Sequence, residues 1–210
     1  MQQCTTPLLP SNIYHVWTHA NGNENIFREP KNYEYFLNKY EKYISPIADT
    51  LAFCQMPNHF HFLIKLKSED YIIDYLKLKK PRNLPETVND ISYFLSKQFG
   101  NLLNSYCQAF NKEYKRKGSL FVPNFHRKIV DSIEYLLKLV IYIHRNPVHH
   151  GFVDSPSNWP HSSLKYFEFR NTHELVDTNT VLDYFGSLSD FFQLHMQFSV
   201  ERGEEYPFIF

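Results

Sequence analysis

Residues 57–61 read Pro-Asn-His-Phe-His and run straight into Phe62-Leu63-Ile64. In an extended strand side chains alternate faces, so His59 and His61 point one way and Phe60 and Phe62 the other. Two imidazoles side by side on one strand face can share a divalent metal ion. The second nitrogen of each ring remains available for an outer partner that fixes it. An H-x-H pair also arises by chance, the more easily in a chain with 11 histidines. The strand context and a second feature downstream set this pair apart.

That feature is the segment Asp131 to Pro147. Asp131 with Glu134 three residues on resembles a capping box, with Asp in place of Ser or Thr. Ile133, Leu136, Leu137, Val140 and Ile141 follow the spacing of an amphipathic helix. Pro147 disfavours helical geometry at Asn146, which predicts a helix ending near Arg145. Tyr135, Leu139, Tyr142 and Asn146 form a stripe beside the apolar one. If the last turn persists, Tyr142 and Asn146 stand only about 40° apart around the axis. Such a helix offers a phenol and an amide oxygen together, while His144 faces elsewhere. An amphipathic helix with a surface tyrosine is the plainer reading, in a chain with 15 tyrosines.

The elements that must position these groups can be read around them. Residues 12–19 predict a first strand, closed by a turn at Asn21-Gly22-Asn23. Tyr33 to Tyr43 has helical periodicity. Residues 48–56 and 59–66 predict two strands joined at Pro57-Asn58. Residues 68–87 read as a loop or short helix, and residues 88–116 as a long helix ended by Gly118. Residues from Leu120 to Val130 are extended near their end, and Val181–Phe198 predicts a C-terminal helix. Strands with helices packed on one face give an α+β class. No internal repeat or low-complexity stretch appears.

Several blocks stand in order along the chain. They are Tyr14-His15-Val16, Asn21-Gly22, Asn25-Ile26-Phe27, Met56-Pro57-Asn58-His59-Phe60-His61, Leu103-Asn104-Ser105-Tyr106 and Phe110-Asn111. Gly118-Ser119-Leu120-Phe121, Tyr142-Ile143-His144-Arg145-Asn146-Pro147-Val148, Gly151-Phe152-Val153, Trp159, Ser162-Ser163 and Tyr166 follow. Together they resemble the single-tyrosine HUH transposases, most closely the REP-associated tyrosine transposases. The resemblance covers residues 13–167 and implies an RRM-like or ferredoxin-like antiparallel sheet, with the catalytic tyrosine on a helix. It divides the chain into a transposase-like domain, 1–170, and an acidic helical extension, 171–210. Where the family often carries an arginine before the glycine of its first turn, this chain has Asn21.

The resemblance implies a chemistry residue by residue. His59 and His61 match the metal ligands, Asn146 a third polar ligand, and Tyr142 the nucleophile. The cofactor is a divalent ion, Mg²⁺ or Mn²⁺; magnesium prefers oxygen, so a two-histidine site suits manganese at least as well. Tyrosine attack on a phosphodiester frees a 3′-hydroxyl and stores the bond as a 5′-phosphotyrosine, and reversal with another 3′-hydroxyl rejoins DNA. The implied substrate is a single-stranded DNA hairpin with an unpaired flank. A non-catalytic binder of structured single strands, and a phosphodiesterase in which water attacks, are the alternatives. Some relatives complete each site across a homodimer, and the sequence leaves open whether the Tyr142 helix stays with its own sheet.

Composition agrees with a nucleic-acid partner once the chain is divided. The formal net charge is zero, from 22 basic and 22 acidic residues. Residues 174–210 hold seven acids and the single base Arg202, which leaves 21 bases against 15 acids before them, a net of +6. The bases cluster at Lys77, Lys79, Lys80 and Arg82, and again at Lys112, Lys115, Arg116, Lys117, Arg127 and Lys128. These clusters flank the proposed site and suit a phosphate backbone, although solvated faces often look the same. Cys4, Cys54 and Cys107 are odd in number and lack C-x-x-C spacing, which argues against a disulfide framework or zinc knuckle. With no signal-like opening and no 18-residue apolar run, the expectation is a soluble cytoplasmic protein without a membrane partner.

Overall fold

The computed structural model describes residues 6–80, 83–169 and 175–197. Four strands form one antiparallel sheet: β1 (Ile13–His19), β2 (Ala48–Met56), β3 (His59–Leu66) and β4 (His126–Ile129), in the order β2-β3-β1-β4. α1 (Pro30–Tyr43) connects β1 to β2, and α2 (Glu69–Lys79) with α3 (Val88–Glu113) connects β3 to β4. This is the βαββαβ arrangement of ferredoxin-like folds. The α+β class expected from the sequence holds.

β3 carries apolar residues at both parities, Phe60, Phe62 and Ile64 on one face and Leu63 on the other, so both faces need cover. α1 covers the first. Phe36 lies 4.9 Å from Phe60 and Tyr40 stacks on Phe62 at 4.3 Å between ring centroids, and α3 packs beside α1. The second face is covered by α4 (Ile133–His149), which packs on β2 and β3. Helices therefore lie on both faces of the sheet, not on one. The face holding His59 and His61 is an interior one.

α4 departs from expectation at both ends. Its N-cap is Ser132, whose hydroxyl accepts from the Tyr135 amide at 3.2 Å, while Glu134 pairs with Lys138 instead of completing a box with Asp131. At the other end the helix runs through Pro147 to His149. Proline lacks one donor and disfavours helix before it. Here tertiary packing outweighs that local bias, since Asn146 is fully buried in helical register.

After α4 the chain returns to the free edge of β2. The Gln55 amide donates to the His161 carbonyl at 2.9 Å, the Ser163 amide to Phe53 at 2.9 Å and the Asp177 amide to Thr50 at 2.9 Å. An otherwise open edge is thereby covered. A short α5 (Leu164–Glu168) follows. The expected single C-terminal helix is two, α6 (Thr178–Phe185) and α7 (Leu188–Gln197). Gly186, at φ 88°, breaks them, a conformation glycine adopts without a Cβ penalty. Residues 170–174 and 198–210, with most of the acidic residues of the tail, lie outside the described residues.

Candidate active site

The β1–β3 register sets His61 opposite Trp17 and His59 opposite His19. Directly opposed residues share a face, so the two histidines enter a row of rings that crosses the sheet. His59 and His61 stand 5.3 Å apart between ring centroids. α4 crosses above them, and because it continues past Arg145, Tyr142 and Asn146 lie one turn apart on the sheet-facing side. Asn146 Oδ1 is 3.0 Å from His59 Nε2. The Tyr142 ring meets the His61 ring edge-on at 5.6 Å. The structure thus brings together all four residues singled out from the sequence. His144 faces away from them, as the helical angles predict. His195 Nδ1–H donates to the Phe191 carbonyl, so its Nε2 accepts from His144 Nδ1–H at 2.9 Å, and His144 Nε2 accepts from the Ser163 hydroxyl at 2.7 Å.

Each of the two histidines is tethered through its Nδ1. His59 Nδ1 meets Asn58 Oδ1 at 2.8 Å, and His61 Nδ1 meets His15 Nε2 at 2.9 Å. Tethering of this kind leaves the Nε2 atoms as the nitrogens free to ligate. Burial pushes the His59 pKa down to about 3, with the nearby His19 and His150 adding to it against the Asn146 contact. Burial also drives His61 well below its ordinary value and His15 to about 3. The site therefore holds neutral imidazoles, the form that binds a metal.

His59 and Asn146 show whether a cation fits. Neutral His59 has one N–H but faces an amide oxygen at both nitrogens. One N–H can serve only one of these two oxygens, so at the other nitrogen a lone pair faces an amide oxygen, and Asn146 Nδ2 is buried without a partner among the described residues. A cation relieves such a contact between two electron pairs. Adjacent ligands about 2.1 Å from an octahedral ion stand about 3.0 Å apart, so the separation suits it as well. The His59 and Asn146 atoms thus suit two adjacent positions on a divalent ion that keeps several waters, with the His61 ring 5.3 Å from that of His59. The set is short of carboxylates: among the described residues no group of three or more His, Cys, Asp or Glu is placed to hold a metal.

Several site residues escaped the sequence reading. His15 and Trp17 stack at 4.5 Å, Trp17 and His126 at 5.2 Å, and His19 and His59 at 4.9 Å, while the exposed His150 lies 5.0 Å from His59. The signal was the odd parity of His15, Trp17 and His19 along β1, beside buried Tyr14, Val16 and Thr18 on the other face.

The basic residues are dispersed. Lys128 lies on the site's face of β4, opposite His15 and 5.1 Å over the Tyr135 ring. Arg127 points to the other face, where it donates to Ser96 at 2.8 Å. Lys112, Lys115 and Lys117 are exposed around the end of α3. Arg116 among them is internal: it grips both Glu24 oxygens at 2.6 Å and donates to the Ser119 carbonyl at 2.7 Å. Lys77 pairs with Asp74 at 2.9 Å, Lys79 lies over Tyr75, and Lys80 caps α2. Arg82 lies outside the described residues. No helix among the described residues is long and apolar enough to cross a membrane.

No family model matches the chain. A protein of Haemophilus influenzae, named in curation as a REP-associated tyrosine transposase, is 29% identical over 122 residues, 55% of this chain and 58% of that protein. The chain thus matches little more than half the length of this curated relative. A solved REP-associated tyrosine transposase bound to a REP hairpin superposes with a TM-score of 0.54, covering 81% of this chain and 87% of its own, at 16% identity. At that identity the likeness concerns the fold. A bacterial tRNA(His) guanylyltransferase-like protein in complex with ATP gives a TM-score of 0.32 at 9% identity, too low to carry an argument. In sequence and in fold, the chain resembles the REP-associated tyrosine transposases.

Proposed function

We propose that this protein cuts and rejoins hairpin-forming single-stranded DNA through a covalent bond between Tyr142 and a 5′-phosphate. One observation carries the reading: α4 sets a phenol beside His61 and an amide oxygen 3.0 Å from His59. A nucleophile and three candidate ligands converge from a strand and a helix far apart in sequence. The solved relative in complex with a REP hairpin supports the choice of substrate.

In the proposed reaction the Tyr142 hydroxyl oxygen bonds to phosphorus, the bond to the 3′-oxygen breaks, and the phenolic proton is balanced by the one the 3′-hydroxyl gains. Reversal with a different 3′-hydroxyl restores a phosphodiester without an external energy source. His59, His61 and Asn146 would hold a Mg²⁺ or Mn²⁺ ion, which when bound polarises the phosphate oxygens and offsets developing negative charge. The neutral histidines add no charge of their own, and the absence of carboxylates among these ligands leaves the ion's charge undiminished toward a phosphate. Lys128 on the same face adds a cation near the path of the strand.

Incubation with hairpin DNA and Mn²⁺ tests the reading. A protein–DNA adduct that resists denaturation is expected, and it is lost in Tyr142→Phe. Cleavage without any adduct would indicate attack by water, and binding without cleavage a non-catalytic role.

A further inference from the structure

α4 ends in a Schellman turn. The Gly151 amide donates to Val148 at 3.0 Å and the Phe152 amide to Pro147 at 2.9 Å, with Gly151 left-handed at φ 72°. The apolar residue that follows the glycine in such a turn commonly folds back on the helix. Phe152 instead remains 51% exposed. Its ring lies 5.6 Å from that of Trp159, and Trp159 is itself fixed by an indole N–H donated to the Gln55 carbonyl at 3.0 Å. Two residues before Phe152, His150 brings its ring to 5.0 Å from His59. A half-bare aromatic ring on a fixed backbone therefore stands two residues beyond His150, whose own ring borders the candidate site.

We infer that Phe152, backed by Trp159, is a stacking subsite for one unpaired nucleobase on the strand attacked by Tyr142, displaced from the attacked phosphate toward the C-terminal end of α4. The inference rests on the proposed function for the path of the strand. Every base has a π-face, so an exposed ring accepts any of them, and a ring already held in place loses little freedom on binding. Bases of a paired stem are stacked on one another and cannot use it. The subsite thus selects an unpaired flank next to a stem, and leaves the choice of base to other contacts.

Binding separates this inference from the chemistry. The full chain carrying Tyr142→Phe is titrated with DNA hairpins that have or lack a short unpaired flank, the first unpaired base being a fluorescent adenine analogue. Phe152→Ala is expected to weaken binding of the flanked hairpin about tenfold or more and to leave the blunt hairpin unchanged. Phe152→Trp is expected to restore affinity, and the analogue to be quenched by every chain except Phe152→Ala. Equal loss for both hairpins, or no loss for either, would overturn the subsite. The parent chain with Tyr142 intact is assayed separately for the covalent adduct, so the reading of Tyr142 survives a failed stacking result. Failure of the parent chain to prefer any hairpin over duplex would overturn both.

Discussion

His59 Nε2 and Asn146 Oδ1 face each other at 3.0 Å across the junction of β3 and α4, joining residues 87 positions apart. Neither atom of this pair is supplied by the element that supplies the other. The affinity of the proposed metal site would therefore report on the docking of the helix as well as on the histidines.

Titration with Mn²⁺ is expected to show one site in the wild type and none in the double variant His59→Ala/His61→Ala. Asn146→Ala should weaken binding and not abolish it, because water replaces one neutral oxygen. His15→Leu, which cuts the tether on His61, should cost about 10–100-fold in affinity, as other outer partners of ligating histidines do. Equal affinity in the double variant and the wild type would remove the metal assignment. A large loss of melting temperature in its place would mean that the pair is purely structural.

Tyr142→Phe should keep the fold and the metal while losing the adduct, since only the hydroxyl is removed. Tyr135→Phe should leave adduct formation intact. Burial pushes the Tyr135 pKa up to about 12, so its phenolate is hard to form, and its ring sits under Lys128. Mass spectrometry of the DNA-linked peptide decides between them.

Stability should fall with acid. His15 titrates at about 3 and His195 at about 4 in the folded protein, both pushed down by burial, against about 6.5 when unfolded. In that window the unfolded chain binds more protons than the folded one, so stability is full above pH 6.5 and declines as pH drops toward 4. Each such histidine contributes up to about 1.4 kcal/mol per pH unit there. Urea midpoints measured from pH 8 to pH 4 check this, and His195→Gln should give a shallower slope. A midpoint rising toward acid would contradict it.

Charge reversal at Lys115 and Lys117 should flatten the salt dependence of hairpin binding and spare the fold, because both are exposed. Arg116 between them should behave differently. Arg116→Glu breaks the clamp on Glu24 and costs about 1–3 kcal/mol, seen as a drop of several degrees in Tm. An unchanged salt slope in the lysine double variant would put the DNA elsewhere.

The sequence made parts of this molecule plain and hid others for identifiable reasons. Strand limits at 48–56 and 59–66 were legible because apolar runs there end at turn residues, and the structure has β2 and β3 over those same residues. The shared face of Tyr142 and Asn146 followed from helical angles alone. What covers the histidine face did not: Leu63 signals that something must, and no local pattern says that α4 does. Pro147 misled because its preference is local, whereas the burial of Asn146 depends on the sheet beneath it. His15 as the tether of His61 required knowing which strands are neighbours, since their pairing spans 46 residues.

The passage of α4 unbroken through Pro147 makes the proposed nucleophile and one proposed ligand parts of a single rigid lever, with the other two proposed ligands on its fulcrum. No motion of the helix can bring the phenol toward a phosphate without also moving the amide against the imidazoles. The aim of the phenol and the affinity of the proposed ion would be geared together. A substitution that tilts the lever would misplace the phenol and weaken the proposed ion together, so a drop in metal affinity at an unaltered histidine pair would report a misplaced phenol.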